Sequence, residues 1–195
     1  MTDIASPEVV DEVLAALGEH LAAAGERFEI VVVGGSGLLV LGAIERVTRD
    51  VDIVALKSGE GLDTADPLPS PLLVAGERVA RDFSLESDWL NPGPTDLLDF
   101  ELPEGFLGRV QTRGYGEGLT VHFASRFDQV HLKLYALVDL GPGKHEADLR
   151  ALEPSEGELV AAARWARTHD PSEGFEQELR GTLAHLGVED ADLRT

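Results

Sequence analysis

Asp50 and Asp52 stand two positions apart in Thr48-Arg49-Asp50-Val51-Asp52-Ile53, a stretch that reads as a β-strand over residues 50–56. Side chains alternate faces along a strand, so the two carboxylates point one way while Val51 and Ile53 point into a core. Carboxylates this close repel each other unless a cation sits between them. A hard divalent ion such as Mg²⁺ takes one or two carboxylates together with substrate phosphates. Upstream, the β-branched run Ile30-Val31-Val32-Val33 ends in Gly34-Gly35-Ser36 and an apolar segment reading as a helix. Glycines at such a turn let the backbone approach a phosphate, and the helix start offers N–H groups and a serine hydroxyl. An ordinary strand-to-helix turn with a serine N-cap has the same sequence. Arg49, just ahead of the carboxylate pair, is a cation for a phosphate, a partner for Asp50, or a surface ion pair.

Further along, Leu97-Leu98-Asp99-Phe100-Glu101-Leu102 alternates apolar and acidic residues, as an amphipathic strand does. Asp99 is the candidate third carboxylate for a metal, with Glu101 as the alternative. An exposed edge strand would carry the same pattern. Lys133 falls in an apolar helical stretch (Val130, Leu132, Leu134, Leu137), where a lysine either snorkels to water or meets an anion. There is no G-x-S-x-G elbow and no Gly-Lys-Ser/Thr after the glycines, so neither a serine-hydrolase nor a Walker-type reading applies.

The Gly-Gly-Ser turn, the spacer helix and the Asp-x-Asp strand together resemble the signature of the nucleotidyltransferase superfamily. The chain looks most like its bacterial branch of toxin-like proteins related to abortive-infection nucleotidyltransferases. Asp88-Trp89-Leu90-Asn91 resembles a mid-domain segment of these proteins. The run Lys133-Leu134-Tyr135-Ala136-Leu137, followed by Lys144-His145-Glu146-Ala147-Asp148-Leu149, resembles their later helix pair. The likeness spans roughly residues 25–152.

This resemblance implies an Mg²⁺-dependent transfer of a nucleotidyl group from a nucleoside triphosphate, with two metal ions held by Asp50, Asp52 and Asp99. It implies that Gly34, Gly35, Ser36, Arg49 and Lys133 bind the nucleotide, and that Asp148 completes the site or anchors Lys133. The acceptor would be an RNA end or a protein hydroxyl, and an antitoxin-like protein partner is part of the same expectation. One position departs from the pattern: His145 stands where the family has an aspartate. A catalytically degenerate binding module of the same fold is the alternative reading.

The elements needed to position these residues follow from periodicity and breakers. Ser6-Pro7 opens a helix over residues 6–24. Strands are expected at 28–33, 50–56, 97–102 and 119–124, with the spacer helix at 36–45, a loop at 57–71 and a helix near 71–81. After Ser125 the chain reads as helical in four segments, broken at Gly141-Pro142-Gly143, Glu153-Pro154 and Asp170-Pro171. The expected fold is α/β (α+β): a nucleotidyltransferase-like mixed sheet flanked by helices over 1–152, with a C-terminal helical extension over 153–195.

Composition sets the outer limits. The 195 residues contain no cysteine, which excludes disulfides, thiolate metal sites and cysteine nucleophiles. No long uncharged apolar run occurs, and Met1-Thr2-Asp3 does not begin a signal peptide; a cytoplasmic chain with no membrane role is expected. The formal net charge of −20 opposes long-range attraction of a large nucleic acid.

Overall fold

The computed structural model describes residues 3–193 as a mixed α/β chain. It divides into two compact units, one ending at Ser125 and one beginning at Arg126. Residues 126–152, grouped by the sequence with the first domain, belong to the second unit.

In the first unit, helix α1 (Pro7–Ala23) starts as its sequence indicates: the Ser6 hydroxyl accepts from the Val9 N–H and Pro7 occupies the first turn. Strand β1 (Phe28–Val33) runs into helix α2 (Gly34–Val40), and β2 (Val51–Ser58) turns back through a tight hairpin into β3 (Gly61–Asp63). Helix α3 (Ser70–Phe83) and the short β4 (Leu90–Asn91) follow, then β5 (Gln111–Tyr115) and β6 (Leu119–Phe123). The sheet order is β3-β2-β1-β6-β5, with β4 paired to β2 beside β3. β1 is antiparallel to β2 and parallel to β6, so the sheet is mixed.

Alternation along these strands builds the core. Ile30, Val32, Val51, Ile53, Val121 and Phe123 meet Val10, Val13, Leu14, Leu17 and Leu21 of α1 and Leu72 and Val79 of α3. Asp52 lies opposite Val33, on the other face. A β-bulge between Val31 and Val32 sets this register: Val31 pairs with Ala55, but Val32 pairs with Ile53. The bulge keeps Ile53 in the core while Asp52 stays at the mouth of the Val33–Gly34 turn.

Four elements differ from the sequence expectation. The spacer helix ends at Val40, and residues 41–50 return as an irregular segment pinned by paired hydrogen bonds between Ile4 and Thr48. The expected strand at 97–102 is not formed. A 3₁₀ helix (Gly93–Asp99) packs beside β2 instead, and its buried Thr95 hydroxyl accepts from the Ala65 N–H at 2.8 Å. Proline at 92 and 94 favours turn geometry there, and the tertiary hydrogen bond overrides the alternating pattern. Finally, β3 lies within the expected loop, and β5 is an edge strand whose Gln-Thr-Arg-Gly-Tyr sequence lacks apolar alternation.

The second unit is helical, with α4 (Arg126–Leu140), α5 (Lys144–Ala151), α6 (Glu156–His169) and α7 (Glu173–His185). The breaks fall at the glycine and proline positions that the sequence marks. α6 opens with a reciprocal capping box between Ser155 and Glu158. Among the described residues, no helix is long and apolar enough to cross a membrane.

Candidate functional site

Asp52 is the centre of the arrangement in the first unit. Gly34 has a positive φ of 69°, and a Cβ built on it would lie 1.9 Å from Asp52 Oδ2. Only glycine meets both demands, so the Asp52 carboxylate rests directly against the turn. Gly35 is constrained by contact alone: its Cβ would lie 2.7 Å from Thr48 Oγ1 and 3.7 Å from Arg46 Nη2. The Thr48 hydroxyl in turn donates to Asp50 Oδ1 at 3.0 Å. The glycine pair therefore joins both aspartates, one directly and one through Thr48. The expectation that these glycines make room for a ligand meets a second cause: they make room for the carboxylates themselves.

Asn91 is the residue that sequence reasoning did not assign to the site. Its Nδ2 donates to Asp52 Oδ1 at 2.7 Å, and its Oδ1 accepts from the Gly93 N–H at 2.9 Å. The local fold delivers it there. Trp89 is 1% exposed and its indole N–H donates to the Gly76 carbonyl of α3, which anchors β4. β4 then pairs Leu90 with Val51 and Asn91 with Asp52. The Trp-Leu-Asn segment was the available signal.

Ser36 is wholly buried, and its hydroxyl has no hydrogen-bond partner among the described residues. A buried unsatisfied hydroxyl is uncommon and marks either local strain or a group awaiting a partner. Arg49 is solvent-facing: its side chain is 79% exposed and its Nε lies 3.9 Å from Asp3 Oδ1. The half-buried Arg46, not Arg49, is the cation beside the glycines.

Asp99 ends the 3₁₀ helix and is exposed, as is Glu101. Among the described residues, no three His, Cys, Asp or Glu side chains gather as a metal-holding group. Of the carboxylates expected to hold Mg²⁺, Asp52 accepts the neutral Asn91 amide and Asp50 accepts the Thr48 hydroxyl, so an ion there would draw most of its oxygen ligands from phosphate and water.

Lys133 and Asp148 form a pair in the second unit. Lys133 Nζ lies 2.8 Å from Asp148 Oδ2, with the two side chains 7% and 1% exposed. Lys133 therefore does not snorkel; it is buried against the carboxylate that the resemblance named as its anchor. At the start of α6, the Arg126 guanidinium and the Ser155 cap hold the Glu158 carboxyl down at about 2. Comparison with family models, with curated proteins and with solved structures gives no match, so the site rests on its own geometry.

Proposed function

We propose that the chain is an Mg²⁺-dependent nucleotidyltransferase that binds a nucleoside triphosphate over the Gly34–Ser36 turn. The observation that carries this reading is the contact of Gly34 with the Asp52 carboxylate, which sets a carboxylate directly against a backbone turn. The buried, unpartnered Ser36 hydroxyl beside the glycines supports the same reading. In the reaction, the acceptor oxygen forms a bond to the α-phosphorus and the bond to the pyrophosphate oxygen breaks. The acceptor's proton goes to water. Asp50 and Asp52 hold the metal, Gly34 and Gly35 keep side chains out of the turn, and Arg46 faces phosphate charge. When bound, Mg²⁺ supplies charge neutralisation on the phosphates. Lys133 and Asp148 belong to this proposal as the buried pair of the second unit, and Asp99 as a carboxylate outside the glycine turn.

The acceptor is an RNA end or a protein hydroxyl, and the net charge of −20 favours the protein hydroxyl or a basic partner that brings the RNA. An antitoxin-like protein partner and a cytoplasmic setting complete the reading. A non-catalytic nucleotide-binding module is the second reading, favoured by the neutral Asn91 amide that takes up Asp52 Oδ1.

Thermal stabilisation by the four ribonucleoside triphosphates, with and without Mg²⁺, tests the proposal. A Mg²⁺-dependent rise in Tm is expected for the wild type and is lost in Asp50→Ala/Asp52→Ala. No rise with any of the four would sink it. A rise without transfer of label to RNA or protein acceptors would favour the module.

A further inference from the structure

We infer that Thr112, His122 and Glu29 form a hydroxyl–imidazole–carboxylate relay in which Thr112 is a nucleophile toward activated acyl esters, at a site separate from the Gly34 turn. The sheet puts these side chains in one row. Strands β2, β1, β6 and β5 are consecutive, and they contribute Lys57, Glu29, His122 and Thr112 in that order. Ile30 and Val121 enter the core beneath α1 and α3, so by alternation Glu29 and His122 lie on the opposite face. The β5–β6 ladder pairs Thr112 directly with His122.

Donor and acceptor requirements fix where the protons sit. His122 Nε2 lies 2.9 Å from Glu29 Oε2, and His122 Nδ1 lies 2.9 Å from Thr112 Oγ1. The His122 hydrogen bond holds the Glu29 carboxyl below its ordinary value of 4.5 against the cost of burial. Lys57 acts in the same direction, its Nζ donating to the same oxygen at 3.2 Å. Glu29 is therefore an ionised acceptor at neutral pH, and Nε2 must carry the proton it receives. In the neutral imidazole Nδ1 is then bare and can only accept, so the Thr112 hydroxyl donates to it.

This is the order of groups in a base-activated nucleophile, and both contacts fall within the reach of about 2.6–3.2 Å that such a base needs. The His122 side chain is 8% exposed, whereas Thr112 is exposed on the edge strand of the sheet. The base is thus shielded from water while the hydroxyl is open to a substrate arriving at the sheet edge. In the reaction, Thr112 Oγ1 forms a bond to the ester carbonyl carbon and its proton passes to His122 Nδ1. The bond to the alcohol or phenol oxygen breaks, that oxygen leaves with the electron pair, and His122 returns the proton to it or to water. Glu29 orients the imidazole and balances the transient imidazolium. A hydrogen bond that only paired two strands would need neither this carboxylate nor the lysine behind it.

The full chain, carrying ¹⁵N-histidine and treated with p-nitrophenyl acetate as the acyl probe, tests both parts. Near neutral pH the imidazole ¹⁵N shifts of His122 are expected to show a protonated Nε2 and a bare Nδ1; the opposite tautomer would overturn the relay. Peptide mass mapping after an acid quench is expected to place an acetyl group on Thr112, and its absence there would overturn the inference. His122→Gln is expected to slow acetylation of Thr112 about 100-fold, and a folded variant labelled at the wild-type rate would overturn the role of His122 as base. Glu29→Gln keeps a hydrogen-bond acceptor but loses the charge, and about a tenfold slower labelling is expected. An unchanged rate in that variant would overturn the part given to Glu29.

Discussion

Gly34 carries two constraints at once, a backbone with φ of 69° and a van der Waals surface shared with Asp52 Oδ2. A methyl group there must displace the carboxylate and hold a left-handed conformation that costs an L-residue energy. Gly34→Ala is expected to destabilise the fold by roughly 2–4 kcal/mol, measurable by urea unfolding. It should also remove the Mg²⁺-dependent nucleotide response in the fraction that stays folded. The buried Lys133–Asp148 pair makes a different kind of prediction. Lys133→Met leaves the Asp148 charge without its lysine in a site where both side chains are nearly inaccessible. A loss of about 3–5 kcal/mol is expected by chemical denaturation, whereas Lys133→Met/Asp148→Leu should be no worse than the single variant. A single variant as stable as the wild type would mean that the pair is not held as the structure describes.

At the scale of elements, β4 shows how a two-residue strand delivers a functional group. Trp89 fastens it to α3, and the ladder to β2 then leaves Asn91 no register but the one opposite Asp52. The bulge in β1–β2 does the same for Asp52 itself. Helix α6 offers the pH-dependent test. The Glu158 carboxyl, held at about 2 by Arg126 and the Ser155 cap, has an ordinary value near 4.5. A carboxyl lowered on folding contributes stability that is fully present above the unfolded value and is lost as pH falls through the folded one. The stability difference between wild type and Glu158→Gln should therefore shrink between pH 4.5 and about 2. Arg126 is 44% exposed, so solvent screening limits the contribution to about 1 kcal/mol. A difference that stays constant across this range would contradict the assignment.

For the whole molecule, a formal charge of −20 on 195 residues means mutual repulsion among surface carboxylates. Raising NaCl from about 10 to 200 mM shortens the Debye length to below about 10 Å and should raise Tm; a falling Tm would show that ion pairs such as Arg126–Glu158 outweigh the repulsion. The local signals in the chain were sufficient for much of this architecture. Ser6-Pro7 marked α1, the Val-rich run marked β1, and the Gly/Pro breaks separated the four C-terminal helices, because capping, β-branching and backbone restriction act between near neighbours. The same local rules set Asp50 and Asp52 two positions apart at the start of a strand and marked a glycine turn upstream. They misread residues 97–102, where alternation imitates a strand but a hydrogen bond from Ala65, distant in sequence, stabilises a 3₁₀ helix. They were silent on Asn91 and Arg46, whose importance comes from which atoms lie across from them. By itself the sequence determined the helices, the main strands and the spacing of the carboxylate pair. Only the tertiary structure decided that Gly34 abuts Asp52, that Asn91 caps it, that Arg46 rather than Arg49 stands at the turn, and that Lys133 is buried on Asp148. Those contacts depend on register, bulge and long-range packing, none of which a local pattern encodes.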